Sequence, residues 1–422
     1  MRWYNAVALL LTISALFSFL NYKFFRLPKT VGLMLISLIA VFGLFGLRGL
    51  GLDLITPASL AVDSIDFSEA LLQGVLCFLL FAGALHIDIG EFFEQKWPII
   101  ILASIGVVIS TLVIAGGTYY LFLLVGLKIP LTWCLLFGAL ISPTDPVATL
   151  GLLKTSSIPE SIKMKIEGES LFNDGVGIVL FIVALTLLPG GEEALTPLGI
   201  GMLFLREAIG GVVYGLTIGY LAFWVIKQVD DYRVEILLSI ALVAGGYALA
   251  AFIHVSGPLA MVVAGLFMGS YGRKHGMSEK TRIHLDTFWR VIDDVLNVLL
   301  FVLVGFQALV LNVEWVYVFA GFLVIPVVLL GRFVSVYVSA HLSRPLTAFS
   351  TRAVLLLTWG GMRGGISFAL ALAVPAGEYR DGLVLITYMV VIFSVLFQGL
   401  TMSRLAAWAG TKDQDLRSRT AT

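Results

Sequence analysis

The stretch ISPTDPVA, Ile141 to Ala148, stands in a long apolar run and carries two faults for a membrane-spanning helix. Pro143 and Pro146 each delete a backbone donor and break a helix, and Asp145 sits between them. A charge near the bilayer centre is disfavoured by about 2.5–3.5 kcal/mol on insertion scales. A span that keeps both faults side by side is using them, provided that its surroundings are lipid.

Composition says that they are. Of 422 residues, 59% are hydrophobic and 13% charged, and the mean hydropathy is +1.00. Soluble domains carry about 25% charged residues, so a large soluble core is a poor explanation. Many runs approach the roughly 20 apolar residues that a spanning helix needs. They are continuously apolar rather than alternating, which favours helices over a barrel. The expected fold is an all-α polytopic membrane protein. Cys77 and Cys134 both fall in spans and read as small apolar packing, not as a disulfide or metal pair. The first run, from about Trp3 to Phe19, is too long for a signal-peptide core and reads as a retained helix. No soluble domain is visible, and the tail AGTKDQDLRSRTAT, from Ala409, is expected to be short and disordered.

Thirteen hydrophobic segments can be placed, centred near Ser14, Ile39, Leu76, Ser110, Ser142, Val179, Val213, Val243, Val263, Leu300, Pro326, Arg363 and Phe393. Their connections then divide the basic residues unequally. One side holds twenty, among them Lys23, Arg26, Lys29, Lys154, Lys163, Arg273 and Arg417. The other holds four, Arg2, Arg48, Lys128 and Arg380, and is rich in acids such as Asp53, Asp63, Asp66, Glu192 and Glu193. This bias puts the N-terminus outside and the C-terminus in the cytoplasm. It also supports the count, because one missed span would mix the charges of every later loop.

Ionisable groups inside spans are functional candidates. They occur in four places: Thr144 and Asp145; EGESLFNDG with Glu169, Ser170, Asn173 and Asp174; Arg332; and WGGMRGGIS, with Arg363 among four glycines. On a helix Ser170 and Asp174 share a face, with Asn173 close by. That oxygen-rich patch suits a small hard cation. Helix-to-helix hydrogen bonding is a competing reading for Ser170, less so for Asp174, since an unpaired carboxylate is a poor glue. The fifth and twelfth segments are both interrupted midway. Unwound backbone at membrane depth survives only where it lines a cavity or is covered by protein. Two broken helices seven spans apart point to an inverted repeat, with the transport site where they cross. Arginine cannot shed its charge, so Arg332 needs a partner, and Glu169 is the best placed to form a buried structural pair. Arg363 reads as compensation for the negative helix end at the break, with a snorkelling position as the alternative. Asp88, Asp293 and Asp294 are open between interfacial and functional roles, and Arg206 and Glu207 receive no chemistry.

SPTDPVA, EGESLFNDGVG and WGGMRGGIS, in that order and in those spans, resemble the monovalent cation–proton antiporter family of sodium–proton exchangers and their prokaryotic relatives. The resemblance covers essentially the whole membrane region. It implies a thirteen-helix homodimer with an ion-translocating core of spans four to six and eleven to thirteen, residues 98–188 and 313–408. Residues 3–90 and 197–311 would form the scaffold and dimerisation helices, and 409–422 a cytoplasmic tail. By motif position Asp174 would take the proton or the cation, with Asn173 its neighbour. Thr144, Asp145 and Ser170 would complete a Na+ site with Asp174, and Glu169 with Arg332 would be the structural pair. Relatives with this Asn-Asp pair are typically electroneutral. Some also have an acidic ligand in the third span, where this chain has Ala82, which raises the question of Asp88.

The implied activity is alternating-access exchange of Na+, or Li+, for H+, the two ions competing for one carboxylate that resists crossing an apolar barrier while charged and empty. The alternatives are a potassium–proton antiporter on the same fold and, more remotely, a cation channel or an intramembrane aspartyl protease using Asp145 and Asp174. The protease lacks its Gly-x-Gly-Asp arrangement here. No enzymatic activity, cofactor or nucleic-acid partner is expected; the partners are monovalent cations, protons, the lipid bilayer and a second copy of the chain. The expected location is a bacterial or archaeal plasma membrane.

Overall fold

Backbone N–H and C=O groups in lipid must find partners within the chain, and helices satisfy them locally. The computed structural model describes residues 2–52, 55–63, 67–146, 149, 158–188, 197–344 and 349–420, which form helices and their connections, with no strand among them. Val147, Ala148, Lys154, Asp53, Asp66, Glu192 and Glu193 lie outside the described residues.

The helices that organise the molecule are α1 (Tyr4–Phe25), α2 (Lys29–Gly49), α3 (Phe67–His86), α4 (Ile89–Val125), α5 (Leu131–Ile141), α6 (Glu160–Thr186), α7 (Gly201–Ile226), α8 (Tyr232–Phe252), α9 (Gly257–Phe267), α10 (Glu279–Leu309), α11 (Trp315–Leu342), α12 (Thr351–Trp359), α13 (Gly365–Leu372) and α14 (Arg380–Ala409). Ten of these are long and apolar enough to cross a membrane among the described residues, all except α5, α9, α12 and α13. Of the thirteen expected segments, ten coincide with these long apolar helices, several of which contain a π-turn, and three fall elsewhere. Near Ser142 the helix stops at Ile141, ahead of Pro143. Near Val263, α9 passes into a π-turn at Met268–Gly272. Near Arg363, α12 and α13 are separate helices with non-helical backbone between them. The tail departs from expectation too. It is helical as far as Thr420.

Local chemistry explains many helix starts. Asp88 caps α4 by accepting from the N–H groups of Gly90 and Glu91, at 2.8 and 3.1 Å. Asp231, Ser256, Ser278 and Ser350 cap α8, α9, α10 and α12 in the same way. Helices in lipid gain little from burying apolar surface against each other, so close approach of small residues matters more. Gly211, Gly215 and Gly219, one turn apart on α7, lie against Ser256, Ala260 and Ala264 of α9. Gly265 and Gly269 lie against Phe81 and Leu85 of α3.

The most buried of the ten long helices is α6. It contributes Ile162, Ile166 and Phe181 to one apolar cluster, shared with α5, α11 and α13, and Met164 and Leu171 to a second, shared with α3 and α9. Enclosed from both sides, α6 packs against α4, α5 and α9. This helix carries Glu169, Ser170, Asn173 and Asp174.

Candidate functional site

The site is built on two interruptions that meet. After Ile141 the chain leaves helical geometry, and Pro143 and Pro146 have no N–H to continue it. The terminal carbonyls of α5 would then be orphaned at membrane depth. The Ser142 hydroxyl donates back to the Gly138 carbonyl at 2.6 Å, and Arg363 serves the carbonyls just past the helix end: its Nη1 donates to those of Ser142 and Pro143, the latter at 2.9 Å. The Asp145 N–H donates to the Met362 carbonyl at 2.7 Å, and the Thr149 hydroxyl to the Gly360 carbonyl at 2.7 Å. The unwound ends of the two segments thus satisfy each other's backbone.

The second interruption is also held by α14. The Arg363 N–H donates to the Ser394 hydroxyl at 2.7 Å, which donates to Gln398 Oε1 at 2.6 Å. Gln398 Nε2 returns to the Trp359 carbonyl, the last residue of α12, at 3.0 Å. Ser394 and Gln398 stand in a π-turn, Phe393–Gln398, the helix irregularity often found at functional sites. Gly364 needs to be glycine for close approach. The Asp145 carboxylate lies where a Cβ would project.

Thr144, on the first interruption, is tied to α6. Its hydroxyl is 2.9 Å from the Ser170 hydroxyl and accepts from Asn173 Nδ2 at 2.7 Å, while its backbone N–H donates to Asn173 Oδ1 at 3.3 Å. Asn173 therefore spends its amide on holding Thr144. One turn further on, Gly177 leaves the space that Pro143 occupies. Asp174 follows Asn173 on α6, is 3% exposed, and makes no salt bridge among the described residues. Asp145, partly buried, acts electrostatically on its carboxyl.

Glu169, one residue before Ser170, is differently placed. Both its oxygens are engaged by Arg332, at 2.8 Å through Nη2 and also through Nη1. Nε and Nη2 of Arg332 also donate to the Leu357 carbonyl, at 3.2 and 3.0 Å. Arg332 is thereby a buried three-way tie between α6, α11 and α12, and its guanidinium covers the position where a Cβ of Gly361 would go.

The structure thus gathers Thr144, Ser170 and Asn173 into one hydrogen-bonded group, with Asp145 and Asp174 beside it and Arg363 behind the break. Arg363 is 2% exposed, which rules out the snorkelling position. Asp88 is exposed and engaged in capping α4, so it answers the third-span question as a cap. Asp294 pairs with Lys29 at 2.9 Å on the surface. Cys77 and Cys134 are both buried free thiols. The sequence reading missed Thr149, Ser394 and Gln398. A signal existed for the last two, since they are polar residues four apart within an apolar span.

With this geometry in hand, three comparisons bear on the chain. The transmembrane sodium/hydrogen exchanger family matches residues 8–408. The Na+/H+ antiporter NhaP of Pseudomonas aeruginosa is 45% identical over 406 residues, covering 95% of this chain and 96% of its own length. The Na+/H+ antiporter NhaH of Halobacillus aidingensis is 36% identical over 388 residues, 90% of this chain and 91% of its own. The solved structure of the sodium proton antiporter MjNhaP1 from Methanocaldococcus jannaschii superposes with a TM-score of 0.76 at 21% identity, over 96% of this chain and 99% of that one. It has the same fold.

Proposed function

The chain belongs to the sodium/hydrogen exchanger family and exchanges sodium ions for protons, and we propose that both ions take turns at Asp174. The observation that carries this reading is the contrast between two buried acids on α6. Glu169 is neutralised by Arg332, whereas Asp174 has no cation beside it among the described residues and adjoins the crossing of two interruptions. A buried carboxylate with no fixed counter-charge is costly to keep ionised, so it must take up a proton or a metal cation.

In the proposed cycle Na+ is held by oxygens of Asp174, Asp145, Ser170 and Thr144, ligand types that suit a hard cation. Asn173 positions Thr144 rather than titrating. One neutral amide and one acid in the Asn-Asp pair support a one-for-one, electroneutral exchange. Movement of the site between the two faces is opposed while Asp174 is charged and empty, and permitted when either ion neutralises it. That rule couples the fluxes without both ions ever binding together.

The moving core is assigned to residues 98–188 and 313–408, and the frame to 3–90 and 197–311. The crossing of the α5 end with the α12–α13 gap supports an inverted repeat. The chain acts as an integral membrane protein, with its N-terminus outside, its C-terminus in the cytoplasm and its site in the plasma membrane of the cell. It works as a homodimer; the large exposed apolar side chains of α7 and α8, such as Leu221, Trp224 and Leu237, support an outward role for those helices. The potassium alternative is not favoured, since the similar antiporters are described as Na+/H+.

The deciding experiment measures proton flux in proteoliposomes with Na+, Li+ or K+, with and without a membrane potential. Asp174→Asn is expected to abolish Na+-driven flux while the protein stays folded. Persistent flux in that variant would refute the assignment.

A further inference from the structure

A groove of about 960 Å³ opens between α1, α2 and α10, sharing no residue with the crossing. Its walls are apolar, formed by Leu11, Ala15, Leu33, Val295, Val298 and Leu299. Its mouth is basic. Lys23, Arg26 and Lys29 gather there with a single acid, Asp294, which Lys29 already pairs at 2.9 Å. Lys23 and Arg26 form no salt bridge among the described residues, and the Lys23 ammonium lies over the rings of Phe19 and Phe24.

The mouth is built rather than loose. Arg26 takes a left-handed backbone conformation, with φ of 52°, and its N–H donates to the Asn21 carbonyl at 2.6 Å. Asn21 clasps Leu27 in both directions, donating to its carbonyl at 2.9 Å and accepting from its N–H at 3.3 Å. Down the α1 wall, Ser14, Ser18 and Asn21 stand at i, i+4 and i+7, a polar stripe inside an apolar groove. The Ser14 hydroxyl is buried, 2% of the residue being exposed, and has no hydrogen-bond partner among the described residues. A buried hydroxyl ordinarily finds one.

We propose that this groove is the seat of an anionic phospholipid. Its phosphate sits between Lys23 and Arg26, its glycerol and ester oxygens meet the Ser14–Ser18 stripe, and an acyl chain lies along the apolar wall. Basic pockets between membrane helices bind anionic headgroups in this manner, and the mouth lies on the basic side of the chain. A second copy of the chain would fill an apolar face but leaves the two unpaired cations without a partner. The groove also adjoins the transport machinery through one helix. Leu300 follows the groove-lining Leu299 on α10 and packs against Gly365 at the start of α13. The ligand therefore buttresses the helix behind the crossing.

The test is thermal unfolding of the purified, full-length protein in detergent with added phosphatidylglycerol, phosphatidylcholine or inorganic phosphate. It reads binding directly, so its outcome is independent of the exchange mechanism. Phosphatidylglycerol is expected to raise the midpoint by a few degrees more than phosphatidylcholine, and inorganic phosphate to leave it unchanged. Lys23→Gln with Arg26→Gln should remove that difference, as should Ser18→Trp, which blocks the groove and keeps the charges. Lys227→Gln with Lys274→Gln, the same charge loss elsewhere, should retain it. Equal effects of the two lipids, a lipid difference surviving in both groove variants, or a shift from phosphate alone would overturn the proposal. So would disulfide cross-linking of two copies through Ser18→Cys that phosphatidylglycerol fails to suppress.

Discussion

Glu169 and Asp174 lie five positions apart on one helix and both are buried, yet their neighbours give them different work. Removing one partner of a buried ion pair leaves the other charge stranded, at about 3–5 kcal/mol. Glu169→Ala should therefore lower the thermal midpoint and yield sharply, with the Na+ affinity of the surviving folded protein little changed. Normal stability with lost Na+ binding would exchange the roles of the two acids. Competition at Asp174 makes a second prediction. Where the site is mostly protonated, apparent Na+ affinity should fall about tenfold for each unit of pH lowered, because one proton must leave for each cation bound. An apparent affinity independent of pH there would mean separate sites. Gly364 tests the approach of the two segments, since Gly364→Ala pushes a methyl group into the Asp145 carboxylate. Exchange should drop severely while the helix content is kept; full activity would show that Asp145 has slack.

At the scale of elements, the problem is how two interrupted helices survive in lipid. Each unsatisfied backbone group there costs several kcal/mol. The solution is reciprocal: Arg363 serves the end of α5, Met362 receives Asp145, and the π-turn of α14 supplies Ser394 and Gln398 to the gap between α12 and α13. Gln398→Leu, close in size and unable to hydrogen-bond, orphans the Trp359 carbonyl and frees Ser394. A loss of about 1–3 kcal/mol is expected, seen as a lower unfolding midpoint. If the midpoint holds and transport is unaffected, the π-turn is not what supports the break.

For the whole molecule, the excess of basic residues on one set of connections predicts which face meets the cytoplasm. Single cysteines placed at Leu50 and at Ser418 should be labelled by a membrane-impermeant thiol reagent from opposite sides, Leu50 from outside intact cells and Ser418 only after permeabilisation. Background labelling is low because Cys77 and Cys134 are buried. Labelling of both from one side would reverse or break the assigned topology. The same molecule-wide view bears on coupling. One cation for one proton moves no net charge, so clamping the membrane potential should leave the exchange rate unchanged.

Much of this protein is readable in one dimension. The all-helical membrane fold follows from composition and run length, because lipid permits so few ways to satisfy a backbone. The family follows from three motifs in order. The candidate acids announce themselves because a polar residue in an apolar span has no ordinary reason to be there. What one dimension could not supply is which of those residues is used up by another. The sequence could nominate Glu169 as the partner of Arg332, but that Arg332 engages both its oxygens and that Asn173 is spent on Thr144 are facts of distance between segments far apart in the chain. The same holds for Ser394 and Gln398, whose task is set by a gap more than thirty residues away. Hydropathy is a property of each residue alone and survives in the linear text. Hydrogen-bond satisfaction is a property of pairs, and only the folded chain decides who the pairs are.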